Sequence, residues 1–238
     1  MLYIAWASAL SGIVILRKSY FALCGASFLA GMALVVAHWG FMDPYIGNLQ
    51  PVLQSYWLNI HVAVIVASYG FLGLSLMLGI INLILFIFRS KAREHIDKSI
   101  LSLTALNEMS MIIGILMLIV GTFLGGVWAN ESWGRYWSWD SKETWSLVSV
   151  GVYAVVLHVR FLKPVYFPYI FNSLSVIAFY SIIMTYFGVN YYLATGMHSY
   201  GRGEGDDIST RIIFTLILTF ILLALSFFKR KLSLTKEV

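Results

Sequence analysis

Seven stretches of this chain are apolar over roughly the length a helix needs to cross a bilayer, and the segments between them are too short to fold alone. A span takes about 20 consecutive apolar residues, and the candidates run over residues 2–16, 21–39, 61–88, 106–127, 145–162, 169–194 and 211–228. Lipid offers no hydrogen bonds to backbone N–H and C=O groups, so such spans are helices. Charged residues make up only 11% of the 238 residues, against about a quarter in soluble domains. The expected fold is therefore all-α: a polytopic membrane helical bundle of about seven transmembrane helices, with residues 1–238 forming a single domain. No basic residue precedes the first span, and Arg17 and Lys18 follow it, the reverse of a secretory signal. That helix is expected to be retained.

The net charge of +5 does not point to nucleic acid, because the basic residues sit in short segments between apolar runs rather than along one face. They report topology instead. One set of loops carries Arg17, Lys18, Arg89, Lys91, Arg93, Lys98, Arg160, Lys163, Lys229, Arg230, Lys231 and Lys236; the other carries Arg135, Lys142, Arg202 and Arg211. Basic loops stay on the cytoplasmic side. The segment from Trp128 to Trp145 is thus expected outside, and with it five of the eight tryptophans. Simple anchoring would place tryptophan at both interfaces, so the one-sided distribution predicts a site. The single cysteine, Cys24, leaves no disulfide framework, CxxC pair or cysteine metal centre.

Five histidines are the metal-ligand candidates, and neutral imidazole is costly to leave unpaired in lipid. His61 opens the third span at its outer end, and His198 follows the sixth span on the same side. With the indoles of Trp128, Trp133, Trp137, Trp139 and Trp145 they share one surface, as a flat macrocycle with axial nitrogens would require. His158 lies about 20 Å deeper if the fifth helix starts near Trp145, so it belongs to a second site. His95 reads as a solvated loop residue, and His38 as an interfacial one. Asp140-Ser141-Lys142-Glu143 reads as a capping box that starts the fifth helix. Arg135, Lys142 and Arg202 are loop charges that could also meet a ligand carboxylate. The Gly201–Gly205 run is expected to be a turn, since no strand precedes it and its spacing does not suit a phosphate loop.

The run from Trp133 to Trp145 (WGRYWSWDSKETW) resembles the WWD signature of the haem-handling proteins of cytochrome c biogenesis, and is most similar to the CcsA (ResC-like) family of System II. The segments PVLQSYWLNIHV (51–62), LHVR (157–160) and GMHSY (196–200) look like the same family, so the resemblance covers about residues 45–230. It implies that His61 and His198 are axial ligands to haem b at an external site lined by Trp128, Trp133, Trp137, Trp139, Asp140, Trp145 and Arg135. It also implies that the membrane-embedded His158 holds haem in transit, its second ligand coming from a CcsB/ResB-like partner. The family usually has proline where this chain has Ser141, a first-turn position where serine costs little.

The expected activity is cytochrome c synthase (haem lyase) chemistry, with haem vinyl groups joined to the cysteines of a CxxCH segment of apocytochrome c. Haem, apocytochrome c and a CcsB/ResB-like membrane protein are the expected partners, with no nucleic acid. The membrane is expected to be the bacterial cytoplasmic membrane, or the thylakoid if the chain is plastidic. The alternatives are a haem export or delivery protein without ligase activity, a b-type electron-transfer subunit with histidines at matched depth, and a Trp-rich transporter or lipid-processing enzyme.

Overall fold

The computed structural model describes residues 2–16, 19–38, 54–89, 94–162, 166–193 and 206–230, and among these every regular element is helical. In chain order they are α1 (Leu2–Leu16), α2 (Tyr20–His38), α3 (Tyr56–Phe88), α4 (Glu94–Trp133) and α5 (Ser141–His158), the last running into a 3₁₀ turn, Val159–Leu162. Then come α6 (Phe167–Ile183), a π-helical turn Met184–Gly188, the short α7 (Val189–Tyr191) and α8 (Asp206–Phe227). Four helical stretches, 56–88, 95–133, 141–162 and 167–188, are long and apolar enough to cross a membrane. Three shorter apolar helices accompany them, 2–13, 23–36 and 212–227. Together these give the polytopic helical bundle expected from the hydropathy pattern.

The helices overrun the apolar windows that announce them. With 40 residues, α4 is about 60 Å long, twice the hydrocarbon thickness, so it projects beyond the lipid. Similarly, α3 begins at Tyr56, with Ser55 as N-cap accepting a bond from the Trp57 N–H. His61 therefore lies inside the helix rather than at its opening.

The central element is α3. Its glycines admit neighbours on several sides: a Cβ added to Gly70 would meet Ala7 of α1 at 3.1 Å, and one added to Gly73 would meet Leu29 of α2 at 2.8 Å. On α4 the small residues are Gly114, Gly121 and Gly125; added Cβ atoms there would lie 2.6 Å from Leu72, 2.5 Å from Ile65 and 3.1 Å from His61. Gly121 and Gly125 form the small-xxx-small spacing that lets membrane helices touch backbone to backbone. A core of Tyr69, Leu72, Met111, Leu118, Tyr153 and Phe171 joins α3, α4, α5 and α6. The lipid-facing exterior is apolar too, with Phe123, Val155 and Phe220 at 67–75% exposure.

Within the apolar interior lies a polar knot. Asn82, Asn107 and Asn172 are fully buried on α3, α4 and α6. Asn172 Oδ1 accepts from Asn82 Nδ2 at 2.9 Å and from Asn107 Nδ2 at 2.8 Å, while its own amide donates to Thr104 Oγ1 and Pro168 O. Ser75 donates to Asn107 Oδ1, and Asn107 donates to Ser175. These bonds fix the register of three helices where apolar packing alone would let them slide.

The two ends of the bundle differ in chemistry. One carries Arg89, Lys98, Arg160, Lys229 and Arg230 among the described residues, and there Arg89 pairs with the buried Asp97. The other holds all seven described tryptophans, Trp6 and Trp57 included. Trp39 lies outside the described residues. His38 and His95 are both exposed.

Candidate functional site

At the tryptophan end the chain passes from α4 to α5 through seven residues, 134–140. Gly134, at φ +70°, ends α4 in the left-handed conformation, its N–H donating to Asn130 O at 2.8 Å. Asp140 is the N-cap of α5 and accepts the Glu143 N–H at 2.9 Å. Glu143 reaches back, as a capping box predicts, but to Ser138, whose N–H and hydroxyl donate to Oε2 at 2.7 and 3.1 Å. Both carboxylates are thereby committed to holding the loop. Trp139 adopts φ +59°, a strained conformation for a bulky residue, and its carbonyl accepts the Thr144 hydroxyl.

The loop folds back over the end of α4, where the Tyr136 carbonyl would sit 3.1 Å from a Cβ on Gly126. Under it is a cavity of about 630 Å³, within the usual size of small-molecule sites and mostly apolar. Its wall includes His61, Tyr69, Trp128, Trp137, Lys142 and Tyr186. The buried imidazole of His61 stacks on the fully buried Trp128, ring centres 5.4 Å apart and planes 16° from parallel. Gly125, one turn earlier on α4, leaves the space that this imidazole occupies. Trp133 braces Trp128 edge-on at 4.7 Å. The buried indole N–H of Trp137 meets no acceptor among the described residues, which leaves a donor for something bound in the cavity.

Hydroxyls stitch the floor together. Ser146 of α5 and Thr122 of α4 lie 2.8 Å apart, and Ser149 lies 3.0 Å from Thr185, in the π-helical turn. A π-turn inserts an extra residue into a helix and often marks a functional site. Here it brings Thr185 and Tyr186 to the wall.

Of the residues expected to share a site, His61, Trp128 and Trp137 line one cavity. Trp133 supports them from behind. Trp139 is 70% exposed and, among the described residues, meets the group through Trp137, edge-on at 5.7 Å. Arg135 is exposed and off the wall, and Trp145 offers its carbonyl, which lies 3.1 Å from the Thr185 hydroxyl. Asp140 acts as a cap. His198 and Arg202 lie outside the described residues, as does the Gly201–Gly205 turn. Sequence reasoning missed Tyr69, Thr122, Thr185 and Tyr186; the Gly121-x-x-x-Gly125 pattern was the available signal that α3 and α4 meet there.

His158 stands apart, at the far end of α5 and about 25 Å along the axis from Ser141. Measured from Trp145, thirteen residues before it, the separation is the roughly 20 Å expected. The side chain is exposed at the bundle surface, beside Phe161. Nδ1 lies 2.7 Å from the Ala154 carbonyl, which can only accept, so Nδ1 is the protonated nitrogen of the neutral tautomer that leaves Nε2 its lone pair. Two residues on, Arg160 donates to both oxygens of Glu108, at 2.6 and 2.5 Å.

Among the described residues no three His, Cys, Asp or Glu side chains converge. A bare ion would need three or four donors, whereas a porphyrin leaves only axial positions for the protein. An imidazole stacked on an indole in an apolar cavity suits the second.

The family model described as Cytochrome C assembly protein matches residues 1–198. The chain belongs to this cytochrome c assembly family. Protein NrfI of Wolinella succinogenes is 52% identical over 204 residues, covering 86% of this chain and 22% of NrfI. Cytochrome c biogenesis protein CcsA of Chlamydomonas reinhardtii is 41% identical over 159 residues, 64% of this chain and 43% of that protein. CcsA of Guillardia theta is 30% identical over 233 residues, 84% and 74% of the two chains. The chain thus spans less than half the length of the first two relatives. The resemblance read from the WWD-like segment, His61 and His158 is to this family.

Proposed function

We propose that this chain binds haem b, presents it at the tryptophan end on the external face of the membrane, and promotes its covalent attachment to the CxxCH segment of apocytochrome c. A CcsB/ResB-like membrane protein works with it. The membrane is the bacterial cytoplasmic membrane, or the thylakoid in a plastid. The observation that carries the reading is the buried His61, stacked on Trp128 in the wall of an apolar cavity.

His61 would hold one axial face of the iron and His198 the other, with Trp128 and Trp137 against the ring. Each substrate thiol adds across a vinyl C=C, sulfur to the carbon next to the ring and the proton to the terminal carbon. Nothing leaves, and no oxidant is consumed. The chain contributes position: a fixed macrocycle whose vinyl edge meets the incoming cysteines. At the other site His158 offers an outward Nε2, suited to a haem shared with a second polypeptide.

The test is an absorption spectrum of the chain purified with its partner. His61→Ala and His198→Ala should each remove the external haem and thioether formation, and His158→Ala should remove a spectrally separate haem. Full thioether formation in His61→Ala without added imidazole would defeat the proposal. Covalent product from co-expressed apocytochrome, with no other maturation factor, separates a synthase from a haem-delivery protein.

A further inference from the structure

Among the described residues of the cavity wall Lys142 is the one lysine or arginine; Glu143 lines the wall beside it and the charge of Asp140 acts on it, but no carboxylate pairs with it directly. Those two carboxylates are held in the cap, Asp140 accepting the Glu143 N–H and Glu143 accepting from Ser138, which keeps them from closing on the ammonium. The side chain is half-buried, and neither ion pair among the described residues involves it. An ammonium withdrawn from water needs an anion nearby. Arg135, seven residues earlier, is exposed and off the wall, which removes the more obvious candidate for that anion.

The placement can be worked from the helices. Lys142, Ser146 and Ser149 follow one face of α5, and Ser146 meets Thr122 of α4. Lys142 stands four residues above Ser146, about 6 Å along the axis, and Gly125, which seats His61, stands three residues above Thr122, about 4.5 Å. The ammonium and the imidazole therefore reach the cavity at nearly the same depth, from α5 and α3. A ligand centred at His61 has its rim, not its centre, within reach of Lys142.

We propose that Lys142 is the carboxylate anchor of this cavity: it binds a propionate of the haem whose iron is held by His61, and so sets the rotation of the macrocycle in its plane. This rests on the haem-binding reading above. A single fixed propionate determines which edge carries the vinyl groups outward, which a symmetric apolar wall cannot do. The ammonium acts as a point charge on a flexible stem.

The experiment titrates the haem-depleted chain, purified with its partner, with ferric haem b and separately with its dimethyl ester, following the absorption spectrum. Wild type should bind the diacid about tenfold more tightly than the diester, the scale of a charge-assisted contact. Lys142→Met should abolish that preference while keeping the His61-dependent spectrum, and Lys142→Arg should restore much of it. If wild type binds both ligands equally, with a spectrum that His61→Ala changes, the anchor is overturned and the haem site stands. If neither ligand gives a His61-dependent spectrum, the haem reading fails and takes the anchor with it. The diester arm on wild type needs no variant to fold.

Discussion

Gly125 offers the sharpest test of how the His61 imidazole is seated. Its absent side chain is what lets His61 lie against α4: a Cβ there would stand 3.1 Å from Nδ1, 3.5 Å from Cε1 and 3.8 Å from Cγ. Ordinary contact between such atoms begins near 3.5 Å, so Gly125→Ala must push the ring by about 0.4 Å. A ligating group has to be held within about 0.5 Å of its working position. In the empty site the ring can turn aside. In a site loaded as proposed the iron would fix it, so the strain would fall on the bound state. Overpacking of this kind costs about 1–3 kcal/mol, equivalent to about a 5- to 150-fold loss of haem affinity. The measurement is haem per polypeptide after purification, together with the position of the Soret band. Gly151→Ala is the control, since its Cβ would meet nothing within 4 Å. Gly121→Ala should be worse and should also lower thermal stability, because the Ile65 backbone nitrogen stands 3.1 Å from the new atom. Wild-type haem content and an unshifted spectrum in Gly125→Ala would refute the seating of His61 on α4.

Two further predictions concern the frame that holds the site. Asn172→Leu removes the acceptor shared by Asn82 and Asn107 and leaves one amide N–H of each without its partner in the interior, although Asn107 still donates to Ser175; a loss of about 2 kcal/mol is expected, read as a lower unfolding temperature in detergent. Arg89→Met leaves the carboxylate of Asp97, 2% exposed, without its guanidinium partner and should destabilise by about 3 kcal/mol. Asp97→Asn added to that variant should recover part of the loss, measured the same way.

The membrane bundle, its polar ends and the cap of α5 were legible in the sequence because each depends on neighbours along the chain. Hydropathy over about 20 residues announces a span, and Asp140 with Glu143 announces a helix start. The same local logic placed the tryptophans and His61 at one end. It misjudged lengths, because helices continue past their apolar windows: α3 starts five residues before His61 and α5 four before Trp145. It also missed the Asn82–Asn107–Asn172 knot, whose members lie on three helices and show no pattern along any one of them.

What only the tertiary structure decided is direction across the axis. Trp128 is fully buried against His61 while Trp139 is 70% exposed, although only eleven positions separate them in one Trp-rich segment. Lys142 lines the cavity and Arg135 does not, although both precede or open the same helix. A residue's depth follows from its position in the chain. The side it faces depends on how far each helix is rotated against its neighbours, and that rotation is set by contacts remote in sequence: Gly121 on Ile65, Gly125 on His61, Ser146 on Thr122 and Ser149 on Thr185.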